Sequence, residues 1–350
     1  MIGMKSAMTR AAMSGLYHSG AHRLLAPYTQ GAGVIFTLNQ VRPPQEKDFA
    51  PNRGLEVAPE FLEAMLDRVD EEGLDVVTLD EAARRLREDD ERRFVCFTFD
   101  QAYRDTLHHA YPLFQRRSLP LTVYVATDYA SGWGELWWLA LEEVIARARE
   151  IELCRQGGLW RIPTATGQEK QRGFEQIYEW LRSVDEARQR QVIRALADSY
   201  DIDMSATCHD LMLGWDEIAA LAADPLIAIG ARSKAHYEIS KLAPKKALSE
   251  MAGSADIIED RLGRRPVHFS FPYGDETAAR ARDFALAKEA GFKTAVTTRR
   301  GMLFPAHRRF LTALPRVPLA GDYQSLACTA LYLSGATFAF RNRFQQVSAA

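Results

Sequence analysis

Three short stretches of the 350-residue chain carry side chains suited to hydrolytic chemistry. Asp100-Gln101 sets a carboxylate, a candidate general base, beside a neutral amide. Arg232-Ser233 is followed by His236, so a guanidinium and an imidazole stand four residues apart. Pro272-Tyr273-Gly274 is a turn sequence bearing a phenol. Asn39 with Gln40, and Thr297 with Thr298, add polar groups. Carboxylate, guanidinium, imidazole and phenol groups at these points are the kinds of side chain a catalytic or binding site is made from.

Each of these groups directly follows an apolar run. The runs are Gly33 to Leu38, Leu74 to Leu79, Phe94 to Phe99, Leu121 to Ala126, Leu226 to Gly230, Val267 to Phe271 and Lys293 to Thr297. Most are continuously apolar rather than alternating, the pattern of strands buried on both faces of a parallel sheet. Between them lie helical patterns. Pro59 to Glu72 places Phe61, Leu62, Met65, Leu66 and Val69 on one face, and Asp80 to Arg87 starts from an acidic N-cap. Asp105 to Arg117 follows the third run. Pro244 to Leu262 opens with proline at a first helical position, and Ala278 to Ala290 stops at Gly291. Alternating strands and helices define an α/β chain, and about seven parallel strands suit a distorted (β/α) barrel, whose active site sits at the strand C-termini. One region breaks the rhythm: 134–225 contains a hairpin turning at Gly157-Gly158 and is otherwise helical. The expected layout is an N-terminal helical extension (1–30), a first part of the barrel (31–133), this insertion (134–225), a second part of the barrel (226–320) and a C-terminal helix or tail (321–350).

The motifs in this order resemble the polysaccharide deacetylase family. Thr98 to Asp105, T-F-D-Q-A-Y-R-D, resembles its T-F-D-D-G-Y motif. Phe269 to Asp275 carries P-Y-G, and Ile229 to His236 stands where the family has I-G-x-H-T-x-x-H. Gly33 to Val41 resembles a first strand that often ends in histidine, and Ala295 to Gly301 with Leu314 to Val317 completes the order. Trp137 to Glu142 and Gly214 to Ile218 look like the branch containing nodulation-type chitooligosaccharide deacetylases. The resemblance covers roughly residues 30 to 320.

The resemblance implies hydrolysis of N- or O-acetyl groups on sugars. It implies a catalytic Asp100, a divalent, zinc-type metal that polarises the acetyl carbonyl and acidifies a water, and an oxyanion contact from the backbone beside Tyr273. Transferred position by position, the metal Asp is Gln101, the first metal His is Arg232, and only His236 persists as a metal ligand. Asn39 and Gln40 take the place of the histidines after the first strand, and Ala102 that of the glycine in the first motif. A neutral amide is a poor ligand, and a guanidinium has no lone pair and stays positive. Fewer than the three protein ligands usual for a catalytic zinc remain. The metal is therefore expected for the family and absent here. Arg232 is expected to fill the vacated position and pair with Asp100, with a catalytic role only as an oxyanion donor. Asn39, Gln101, Pro272 and Trp137 are assigned to the substrate surface, although Trp137 and Trp138 suit core packing equally well. Asp105 reads as a helix cap, His108 and His109 as helix residues, and His307 as a solvated loop residue. Two functions follow from these residues: a deacetylase, or a silenced glycan-binding relative. A scaffold in envelope polysaccharide assembly is a third.

Composition limits the partners. The charge is −2, which does not suit a nucleic-acid binder. The expected partner is a glycan or sugar-lipid containing N-acetylhexosamine. Cys96, Cys154, Cys208 and Cys328 are scattered, without metal spacing, and read as reduced thiols. The N-terminus has no h-region, and the apolar stretch Leu326 to Phe340 is interrupted and shorter than the ~20 residues of a membrane span. A cytoplasmic protein without an integral membrane segment is the expectation.

Overall fold

The structure is a computed structural model, and it describes residues 11–88, 90–155 and 157–347. Eight strands form one sheet in which every pairing is parallel: β1 (Gly33–Leu38), β2 (Asp75–Val76), β3 (Phe94–Asp100), β4 (Leu121–Val125), β5 (Ile227–Ala231), β6 (His268–Ser270), β7 (Thr294–Val296) and β8 (Val317–Pro318). The order is β7-β6-β5-β4-β3-β1-β8, with β2 beside β3. A parallel bridge from Val296 to Leu314 brings β7 toward the segment leading into β8, so the sheet curls into a distorted (β/α) barrel. The long pairing of β1 with β3 runs from Gly33 opposite Phe94 to Leu38 opposite Phe99. Every residue of β1, β3 and β4 is buried, which is why these strands read as unbroken apolar runs.

Helices pack outside the sheet. The stripe Phe61, Leu62, Met65, Leu66 and Val69 of α2 (Pro59–Glu71) is buried in the main apolar cluster. Helix α1 (Ala21–Thr29) precedes β1, and α3 (Leu79–Glu88) precedes β3. A π turn over Thr106–Ala110 leads into α4 (Tyr111–Arg116). Between β4 and β5 come α5 (Trp137–Arg147), an antiparallel hairpin (Glu150–Arg155 with Gly158–Pro163), α6 (Gly167–Ser183), α7 (Glu186–Ser199), α8 (Met204–Leu211) and α9 (Trp215–Ala222). A second apolar cluster, including Trp137, Leu141, Ile177 and Ile193, holds this region together. Helices α10 (Pro244–Leu262) and α11 (Ala281–Glu289) cover β5 to β7, and α12 (Leu326–Ser334) and α13 (Ala336–Arg341) end the described chain. Pro244 occupies the first turn of α10, and Gly291 follows α11 with φ 91.

Several local expectations are corrected. The run Leu74 to Leu79 pairs over only two residues, and the strand expected at Leu226 to Gly230 starts one residue later. Thr78, not Asp80, caps α3 by accepting the Glu81 N–H at 3.2 Å. Asp80 instead meets His268 at 3.5 Å and Lys293 at 3.6 Å, and these contacts, His268 first, hold its carboxyl down at about 2. Asp105 does not cap its own helix. Its Oδ1 accepts the Val41 N–H at 3.4 Å, and burial pushes its pKa up to about 7. His307 is buried, with Nδ1 3.0 Å from the Phe304 N–H.

Candidate functional site

The C-terminal ends of β1, β3, β5 and β6 converge on one carboxylate. Asp100, the last residue of β3, is buried and surrounded by donors. Ser270 at the end of β6 donates to Oδ1 at 3.0 Å, and Thr37 of β1 lies 3.5 Å from Oδ2. Arg232, just after β5, reaches Oδ2 at 2.8 Å. Arg316, just before β8, grips both oxygens, at 2.9 and 2.8 Å. The expected pairing of Arg232 with Asp100 is present. Arg316 is a second guanidinium that sequence reasoning missed. It also donates to the Thr297 carbonyl at 2.8 Å, to Thr98 Oγ1 at 3.1 Å and to Ser270 Oγ at 3.1 Å. Arg232 likewise donates to Ser270 Oγ. The one signal available was the L-P-R-V motif itself, whose arginine lies 216 residues from its carboxylate.

These contacts settle the charge state of the site. Burial alone would raise the Asp100 pKa, but Arg232 and Arg316 outweigh it and hold the carboxyl below its usual value. A carboxylate offers about four lone-pair sites. Ser270 and the two Arg316 nitrogens occupy three, Thr37 stands 3.5 Å away on the fourth side, and Arg232 adds an ion pair at 2.8 Å. Asp100 therefore has a weakened basicity, with most of its acceptor capacity already engaged. Two guanidiniums on one carboxylate leave a net positive charge beneath the site.

His236 lies against Tyr129, Trp138 and Tyr273, with ring centroids 5.2 to 5.7 Å away. Burial first, then Arg232, Arg190 and Arg182, press its pKa well below the ordinary histidine value, so the imidazole is neutral. Its Nε2 stands 3.0 Å from Gln101 Nε2. With the amide donating, the ring proton lies on Nδ1. Gln101 Oε1, His236 Nδ1, Arg232 Nε and Trp138 Nε1 have no hydrogen-bond partner among the described residues. The backbone is strained at the same place. Gln101 (φ 73), Ala102 (φ 55), Ser233 (φ 58), His236 (φ 59) and Tyr273 (φ 62) all adopt left-handed conformations without being glycine.

The region between β4 and β5 fixes these loops. Buried Arg190 of α7 donates to the Ala235 carbonyl at 3.0 Å, and Glu250 of α10 accepts the Lys234 and Ala235 N–H groups at 3.1 and 3.2 Å. Arg182 of α6 lies 3.7 Å above the Tyr273 ring, and Trp137 Nε1 donates to Tyr273 OH at 2.8 Å. Burial pushes the Tyr273 phenol well up, so it stays protonated.

Above the site lies a cleft of about 740 Å³, within the usual range for a ligand pocket. Asn39, Gln101, Arg232, His236 and Tyr273 all line it. Trp137 and Pro272 do not. Trp137 is fully buried behind the cleft wall, stacked on Tyr178 at 4.9 Å and hydrogen-bonded to Tyr273. Its assignment to the substrate surface is corrected: the aromatic groups lining the cleft are Trp138, Phe174, Tyr178 and Tyr273. Pro272 is buried behind the turn.

A family model for polysaccharide deacetylase matches residues 87–295. The chain belongs to the polysaccharide deacetylase family. Its function is deacetylase-like, in a family that acts on acetylated polysaccharides. Asn39 and Arg316 fall outside the matched range. Solved structures similar to this chain include the Streptococcus pyogenes deacetylase PplD in complex with acetate (15% identity, 82% of this chain and 92% of that one, TM-score 0.54). IcaB from Ammonifex degensii is similar at 16% identity (86% and 97% covered, TM-score 0.53). A de-N-acetylase from Aggregatibacter actinomycetemcomitans is similar at 10% (85% and 99%, TM-score 0.52). At these identities the likeness is one of fold. No curated protein matches the sequence.

The family is of the metal-dependent carbohydrate esterase type. The residues here do not fit such a metal. Both Asp100 oxygens are held by guanidiniums, Gln101 bonds to the remaining histidine, and Arg232 brings a positive charge where a ligand belongs. Among the described residues no three His, Cys, Asp or Glu side chains are grouped to hold an ion.

Proposed function

We propose that this family member binds an N-acetylhexosamine-containing glycan, such as a chitooligosaccharide, without hydrolysing it. One observation carries the reading: the carboxylate at the base position is engaged by Arg232, Arg316, Ser270 and Thr37. A base in that state is a poor acceptor of a proton from water, and a guanidinium at the metal position cannot acidify one. What persists is the binding half of a sugar site. Tyr178, with Phe174 and Trp138 packed in the same wall, suits the apolar face of a sugar ring, while Asn39, Gln101 and Arg232 line the cleft with polar groups suited to acetamido and hydroxyl groups. Cysteines that are all free support a reducing, cytoplasmic setting, in which precursors or sugar-lipids are the accessible glycans.

The test pairs calorimetric titration of N-acetylglucosamine oligomers with an acetate-release assay in zinc or cobalt. The expected result is binding without acetate release, and no zinc uptake by the wild type. A Gln101→Asp/Arg232→His variant should gain one zinc per chain. Metal-dependent acetate release by the wild type, abolished by His236→Ala, would overturn the reading.

A further inference from the structure

The acidic residues of this chain are unevenly placed. Residues 1–45 contain none, and from 290 to the end Asp322 is the only one, against eight lysines and arginines in that last stretch. The fold brings parts of these two ends together. Helix α1 packs on α12 and α13, and Thr29 Oγ1 donates to the Ser334 carbonyl at 2.7 Å. Ala32 N–H donates to the Leu303 carbonyl at 2.7 Å, and Asn342 Nδ2 to the Arg300 carbonyl at 2.9 Å. The result is one face made of α1, the strand-flanking segment 299–304, and α13 with the residues after it.

Large apolar side chains stand out from this face. Leu24 is 80% exposed and Tyr28, one turn later, 79%. Phe340 (54%) and Phe344 (57%) lie edge to face, with ring centroids 5.3 Å apart. Arg341 and Arg343 are exposed beside Phe340 and Phe344, and no ion pair engages them or Arg300 among the described residues, whereas Arg23 on the flank of α1 lines a groove with Asp67, Glu71 and Glu72. Exposed aromatic and aliphatic groups interleaved with unpaired arginines match the interfacial zone of a bilayer, where rings enter the headgroup boundary and cations meet anionic lipid. The face also adjoins the site: Arg300 and Arg341 line the cleft, and Arg341 directly follows Phe340.

We propose that the face formed by α1, α13 and residues 299–304 docks on an anionic lipid bilayer, holding the cleft mouth against the membrane so that the glycan it takes is lipid-linked. The second half rests on the glycan-binding reading; the docking does not. The two are separated by using vesicles that contain no glycan. Full-length protein is sedimented with vesicles of phosphatidylcholine alone, or with about 30% phosphatidylglycerol. Partition should be about tenfold higher on the anionic vesicles at ~0.1 M salt and should vanish at ~1 M, where the Debye length falls to about 3 Å. Phe340→Ser/Phe344→Ser and Leu24→Ser/Tyr28→Ser should each lower partition about tenfold. Leu159→Ser, an equally exposed apolar residue on the hairpin, should change nothing. If a serine pair proves unfolded by circular dichroism, Arg343→Gln, which removes only exposed charge, should reduce anionic partition several-fold. Absence of anionic binding, or binding that all the face variants retain, would sink the docking. Docking together with failure to bind soluble oligosaccharide would sink only the glycan reading.

Discussion

Replacing Asp100 with asparagine removes the only negative charge between two buried guanidiniums. At an effective dielectric of ~20, each carboxylate–guanidinium contact near 4 Å is worth about 4 kcal/mol of Coulomb energy, before desolvation is subtracted. Measured losses on removing one member of a buried pair are about 3–5 kcal/mol, because the partner is left uncompensated. Here two partners are left, Arg232 and Arg316, together with a Ser270 hydroxyl they both engage. Asp100→Asn should therefore cost at least about 3–5 kcal/mol in urea unfolding at pH 7. The arginines are not equivalent. Arg316 makes five hydrogen bonds, to Thr297, Thr98, Ser270 and both Asp100 oxygens. Arg232 contacts only Asp100 and Ser270, and its Nε has no partner. Removing Arg232 also brings the cluster to zero net charge, so Arg232→Met should cost no more than about 1–2 kcal/mol and Arg316→Met about 3 kcal/mol. The Asp100 pKa is depressed on folding, so its stabilisation is present above the unfolded-state value and is lost as pH falls through the folded-state value. The gap between wild type and Asp100→Asn should accordingly be full above the unfolded-state value and narrow as the pH falls below it. A loss below about 1 kcal/mol for Asp100→Asn at pH 7, or an Arg232→Met loss as large as the Asp100 one, would falsify the charge-cluster argument.

Further outcomes follow from single residues. Asp105 titrates in the opposite sense: its pKa is raised to about 7, so stability is fullest below the unfolded value near 4 and declines as pH rises to 7, by at most ~1.4 kcal/mol per unit. Asp105→Asn should leave stability nearly unchanged at pH 4 and raise it at pH 8, as read by thermal melts. Ala102→Gly should stabilise by up to about 1 kcal/mol, because φ 55 strains alanine and not glycine; a destabilised variant would contradict the strain. Trp137→Phe removes the donor to Tyr273 OH and should cost about 1–3 kcal/mol without a direct effect on glycan contacts. Tyr178→Ala should weaken oligosaccharide binding with a smaller loss of stability, and equal behaviour of the two variants would contradict their placement on and behind the cleft wall.

The barrel was legible because its central strands are buried on both faces, which forces continuous apolar sequence in β1, β3 and β4. Short edges left no such trace. Val317-Pro318 pairs over two residues, too few for any periodicity, and it is this strand that brings Arg316 under Asp100. Asp100, Gln101, Arg232, His236 and Tyr273 could be gathered from sequence because each follows a strand and strand ends share one rim. Trp137 and Trp138 could not be told apart. Neighbouring positions on a helix face about 100° apart, and only the orientation of α5 decides which ring meets the cleft.

The substitutions at this site form a connected set. A carboxylate buried at the end of β3 needs a positive partner whatever its chemistry. Where the family resemblance places a metal, losing the carboxylate at 101 and the imidazole at 232 would leave Asp100 uncompensated and expensive to bury. A guanidinium at 232 supplies the charge, Arg316 shares it, and Gln101 changes from a ligand to a neutral partner for His236. Each change makes the others tolerable, and restoring one alone should be worse than restoring two. Gln101→Asp by itself buries a second carboxylate and removes the amide that donates to the neutral His236. Arg232→His by itself leaves Arg316 as the sole guanidinium on Asp100. The double variant should therefore be more stable in zinc than the sum of its single losses predicts, a coupling a double-mutant cycle measures directly.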